Sequence, residues 1–142
     1  MMRALSTQPG MELPLRTRPG KADFARIPLL IQGGYYVASG IWPLLNMRSF
    51  ERVTGPKTDK WLVKTVGILV TAIGASLLLA SKRKTVSPEG RLLAAGTGAA
   101  LALIDVTYVA KRRIARVYLL DAFAEAALLL GLLLAGNSSR KE

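Results

Sequence analysis

The sequence predicts an all-α fold: a transmembrane four-helix bundle built of two antiparallel helical hairpins. Three observations carry this expectation. Four apolar runs, 27–45, 61–80, 92–110 and 117–134, fill more than half of the chain. Each is within a residue or two of the roughly 20 helical residues, at about 1.5 Å rise apiece, that cross a hydrocarbon core about 30 Å thick. The runs are rich in Gly, Ala and Leu with little strand-type alternation. A lipid-exposed backbone must close its own hydrogen bonds, so helices are favoured over a barrel.

Residues 1–26 hold Pro9, Pro14, Pro19, Gly10 and Gly20 among scattered charges and read as a flexible basic tail. Residues 27–136 form the expected membrane domain, and 137–142 a C-terminal tail. The small residues Ala38, Ser39 and Gly40 could suggest a signal-peptide cleavage site, but the apolar run continues through Ile41, Trp42 and Leu44. The first run is therefore expected to be retained as a helix.

Within that helix, Gln32, Tyr35, Ser39, Trp42 and Asn46 recur every three or four residues, a polar stripe able to line a cavity. Pro43 either kinks the helix or hands it to the loop. Gly55 and Pro56 then enforce a turn, and Thr58 or Asp59 can cap the second helix. Trp61 opens that helix, so it and Trp42 fall at one membrane face, where indole rings are favoured.

Ser87, Pro88 and Glu89 form a start signal for the third helix: a hydroxyl cap, a proline at the first position and an acid at the positive dipole end. Small residues at Gly33 and Gly40, Gly67 and Gly74, and Ala95 and Ala99 predict close helix approach. The leucine-rich stretch 128–134 of the fourth run has no preferred side and is expected to face lipid. Gly136 and Asn137 suit its C-terminus.

The formal charge is +11, yet all the basic residues except Lys64 lie outside the apolar runs. Lys82, Arg83 and Lys84 follow the second run, and Lys111, Arg112, Arg113 and Arg116 separate the third from the fourth. Membrane lipids are the partner this pattern implies, and nucleic acid is not expected. With no Cys and no His, thiol chemistry, thiolate metal sites and the commonest neutral-pH base are excluded. No metal site and no cofactor are expected. The distribution of Lys and Arg favours cytoplasmic termini by a small margin.

Lys64, Asp105, Asp121 and Glu125 are ionisable residues inside the runs. A charge at the bilayer centre costs about 2.5 to 3.5 kcal/mol on lenient scales, so these side chains should face one another or water. In an up-down bundle all four fall in one half of the membrane. Asp121 and Glu125 are one helical turn apart, with Tyr118 continuing the stripe. Tyr108 shares a face with Asp105, which lies about 8 Å from its helix end at about 1.5 Å per residue. Adjacent carboxyls in low dielectric resist ionising together, so the cluster is expected to hold a proton.

The expected ligand-binding or proton-relay residues are thus Asp105, Asp121, Glu125, Lys64, Tyr108, Tyr118, Gln32, Tyr35 and Trp42. Arg52, Lys57 and Asp59 of the first loop are candidates for a lid above them. The loop 49–67, together with Tyr118, Leu119, Leu120, Asp121, Ala122 and Glu125, resembles a family of small bacterial four-helix integral membrane proteins, DoxX-like in layout. The resemblance spans 27–136 and implies the fold and a bacterial inner-membrane location, without an activity.

Three functions stay open. The carboxylates could bind a small cationic or amphipathic ligand or relay protons. Alternatively, they could pair with Lys64 in a structural or accessory subunit that docks a membrane-protein partner or dimerises. A membrane enzyme acting on a lipid-like substrate ranks lowest, since no activated nucleophile is evident.

Overall fold

The computed structural model describes residues 22–137, which form five helices with no strand among them. These are α1 (Ala22–Leu45), α2 (Met47–Thr54), α3 (Lys60–Ser81), α4 (Pro88–Ala110) and α5 (Tyr118–Asn137). Three stretches are long and apolar enough to cross a membrane: α3, α4 and Tyr118–Gly136 of α5. α1, at 24 residues, is as long as these, and Gln32, Tyr35, Tyr36, Ser39 and two prolines interrupt its apolar side chains. It begins earlier than the sequence suggested, so residues 22–26 are helix rather than tail. The rest of the expected N-terminal tail, and 138–142 of the C-terminal one, lie outside the described residues.

α1 packs chiefly along α3 and α4 along α5, and α1 also meets α5. Glycine sets the first contact. A Cβ placed on Gly33 would lie 2.8 Å from the Gly74 carbonyl oxygen, and one on Gly40 would lie 2.6 Å from that of Gly67. With 33 opposite 74 and 40 opposite 67, the two chains run in opposite directions at backbone-to-backbone distance, which only residues without a side chain permit. Pro43 stays inside α1, and its ring lies against Gly67.

Leu29 and Tyr36 of α1, Leu77 of α3, Ala94 of α4 and Leu132 of α5 are buried together, so the core sits where these four helices meet. α5 does have an inward side, contrary to the sequence expectation. Ala122, Glu125, Leu132 and Ala135 are buried while Phe123, Leu130, Leu133 and Leu134 are exposed. The signal was masked because the inward positions are small or acidic amid leucines. The Ala95 and Ala99 pair also behaves differently: Ala95 packs on the core and Ala99 is exposed.

The first connection is not all loop. Asn46 accepts a hydrogen bond from the Ser49 amide at 3.0 Å and so restarts the helix as α2. α2 ends at Gly55, whose φ of 85° lies in the left-handed region open to glycine. At α4 the start signal behaves as read, with Ser87 Oγ accepting from the Gly90 amide at 3.1 Å. α4 ends in a paired closure: the Arg113 amide donates to the Tyr108 carbonyl and the Arg112 amide to that of Val109, both at 2.9 Å. Arg112 takes the left-handed position of this cap, at φ 54°, where glycine is usual.

Candidate functional site

Polar side chains from α1, α4 and α5 form a file between the helices, buried at Gln32, Tyr36, Asp105 and Glu125 and half-buried at Tyr35 and Asp121. Gln32 and Tyr36 are one turn apart on α1, and both face inward. The Gln32 amide donates to the Tyr36 hydroxyl and to the Ala94 carbonyl, each at 2.9 Å. Tyr36 in turn donates to Glu125 Oε2 at 3.0 Å. Gln32 is 2% exposed, and Tyr36 and Glu125 are 0% exposed. One turn nearer the start of α5, the Tyr35 hydroxyl donates to Asp121 Oδ1. Asp105 of α4 lies within hydrogen-bonding reach of Asp121.

Gly98 makes room for this arrangement. A Cβ there would lie 2.8 Å from Glu125 Oε2 and 3.3 Å from Gln32 Nε2. Any side chain at 98 would therefore displace the carboxyl from Tyr36.

Three carboxyl groups thus share the file with two phenols and an amide, and among the described residues no cation stands with them. Lys64 is exposed on α3 and forms no ion pair with Asp105, Asp121 or Glu125, so the expected pairing is not made. Two oxygens, Asp105 Oδ2 and Glu125 Oε1, are buried without a hydrogen-bond partner. A buried carboxylate is costly unless paired, and two facing carboxyls attract only with a proton or a cation between them.

The structure therefore brings together Gln32, Tyr35, Asp105, Asp121 and Glu125. It leaves Lys64 outside, along with Tyr108, which is 45% exposed with the Lys111 ammonium 5.6 Å from its ring centre. Trp42 is also exposed. It donates to Ser49 Oγ at 2.8 Å and meets Phe50 edge-on at 5.6 Å, which fastens α2 to α1. Tyr118 is half-buried at the outer end of the file, beneath the Lys57 ammonium at 5.0 Å.

Of the lid candidates, Lys57 alone reaches over the file. Glu51 fixes it: its carboxylate accepts from the Lys57 amide at 3.0 Å and pairs with Lys60 at 3.2 Å. The Lys57 amide foremost, then the Lys60 ammonium, hold the Glu51 carboxyl below its usual range. Arg52 and Asp59 are exposed, and Asp59 serves α3 through its carbonyl, which accepts from Leu62 and Val63 at 3.1 and 3.2 Å.

Tyr36, Gly98 and Glu51 are the participants that sequence reasoning missed. Tyr36 had a legible signal, its i+4 spacing from Gln32, whereas nothing in the chain alone distinguishes Gly98 from the other glycines. Among the described residues no group of three or more acidic ligands is disposed to hold a metal ion. An apolar groove lined by Phe24, Gly131, Leu134 and Ala135 opens at the far end of α5, away from the file. Comparison with protein-family profiles, curated proteins and solved structures returns no match.

Proposed function

We propose that the chain is a multi-pass protein of a bacterial inner membrane whose buried carboxyl file takes up protons from one membrane face and exchanges them for a small amphipathic cation. In this reading α1 joins α3, α4 and α5 as a fourth span. The four make two antiparallel hairpins in a DoxX-like layout, with both termini cytoplasmic. The polar residues of α1 are tolerated in lipid because they face the file.

The observation that carries the reading is Glu125 itself: fully buried, bound by one tyrosine, and, among the described residues, with its second oxygen unpartnered and no cation beside it. Intramembrane acids placed in this way are functional candidates by default. The file begins at Tyr118 under Lys57 and stops at the Ala94 carbonyl, so it favours one-sided exchange over conduction across the bilayer.

Adding tetraphenylphosphonium to weakly buffered vesicles that contain the full chain, with a pH dye on the side of addition, tests this. Cation uptake should release protons on that same side, and Asp121→Asn with Glu125→Gln should abolish the release. A second reading, a structural or accessory subunit, draws on the same hydrogen bonds, since Gln32 and Tyr36 tie α1 to α4 and α5. It holds if the double variant lowers detergent stability and wild type releases no protons on adding the cation. A lipid-acting enzyme has no further support.

A further inference from the structure

We propose that the end of the molecule nearest the carboxyl file is a binding surface for anionic phospholipid headgroups. Two connections meet there. α1 and α3 run in opposite directions, so the connection between them lies at the end of α1. Lys57 of that connection sits over Tyr118 at the start of α5, which places it beside the α4 to α5 loop.

The first connection presents Arg48 and Arg52, exposed on α2, and Lys64, exposed near the start of α3. The second presents Lys111, Arg112 and Arg113, all exposed. Among the described residues none of these six pairs with a carboxylate; Lys111 meets only the Tyr108 ring. Of the two acids in the first connection, Glu51 is engaged by Lys57 and Lys60, and Asp59 is exposed and pairs with none of the six. The left-handed Arg112 keeps a guanidinium at a position that glycine would occupy more easily.

What selects a lipid over another polyanion is the apolar collar at the same level. Trp42, Trp61 and Tyr108 are exposed there beside the exposed leucines and valines of the helix ends. Indole and phenol rings settle at headgroup depth, where basic side chains are drawn to anionic lipid. α2 adds the form of an interfacial helix, with Phe50 and Thr54 turned toward the protein and Arg48 and Arg52 away from it. A soluble acidic partner would have to share its surface with acyl chains.

The chain has two tryptophans, Trp42 and Trp61, both on this collar. Their fluorescence therefore reports the surface selectively. The full chain is reconstituted in phosphatidylcholine vesicles holding either brominated phosphatidylglycerol or an equal fraction of brominated phosphatidylcholine. Stronger quenching by the anionic lipid is expected, decreasing as KCl is raised. Lys111→Gln, Arg112→Gln and Arg113→Gln together should reduce that preference at least about fivefold, the Boltzmann factor for a single surface-held basic residue. Arg112→Lys with Arg113→Lys should retain it.

Equal quenching by the two lipids, or a preference that neither the triple variant nor salt alters, overturns the proposal. So does association with soluble polyglutamate without a lipid preference. If the triple variant does not reconstitute, the salt titration of wild type decides.

Discussion

Tyr36 of α1 donates its hydroxyl to Glu125 of α5 at 3.0 Å, and both side chains are wholly buried. Tyr36→Phe removes this hydrogen bond and leaves Glu125 with two unpartnered oxygens. A loss of about 1 to 2 kcal/mol is expected, within the range for a membrane-buried hydrogen bond and its orphaned partner. Unfolding in mixed detergent micelles measures it, with the exposed Tyr108→Phe as a near-neutral comparison.

Gly98 and Gly96 make a matched pair on α4. A Cβ at 98 would lie 2.8 Å from Glu125 Oε2, whereas one at 96 meets nothing within 4 Å. Gly98→Ala should therefore destabilise by about 1 to 3 kcal/mol through overpacking. Gly96→Ala should be neutral or stabilise by up to about 1 kcal/mol, from helix propensity. Equal effects at both positions would contradict the close approach at 98.

Acid should release the first connection. The ordinary carboxyl value for Glu51 is 4.5, and its contacts with Lys57 and Lys60 lower it in the folded protein. A lowered folded value means these contacts contribute above the unfolded value and are lost as pH falls through the folded one. The Lys57 amide resonance should accordingly shift with a midpoint below 4.5. In Glu51→Gln that titration should vanish.

At the α4 cap, Arg112→Gly relieves a left-handed residue at φ 54°. It should stabilise the protein by about 1 kcal/mol in neutral detergent, the usual penalty for a side chain in that conformation. A decrease in melting temperature would show that the Arg112 side chain contributes more than its backbone position costs.

Three of the four runs were legible as α3, α4 and α5 because apolar run length reports directly on helices long enough to cross a membrane, and the Ser87 cap was legible because its bond partner is three residues away. α2 was not, since its start depends on Asn46 folding back on Ser49 after α1 has ended. Gln32, Tyr35, Asp105, Asp121 and Glu125 could be drawn together from spacing and depth alone. Lys64 could not be placed in that way: depth fixes how far along α3 it lies but not which side it takes. Gly67 and Thr71 turn the α3 stripe that carries Lys64 toward α1 rather than toward the acids of α4 and α5, and Lys64 is exposed one turn nearer the helix start than these contacts. Gly98 matters for what it lacks, which becomes visible only once Glu125 packs against it.

Proton exchange at Glu125 is tested most directly by adding tetraphenylphosphonium to the purified full chain in weakly buffered detergent and following released protons with a pH dye. Binding accompanied by proton release, abolished by Glu125→Gln and retained in the exposed Lys64→Gln, is the expected result. Cation binding without proton release, or release unchanged by Glu125→Gln, would contradict it.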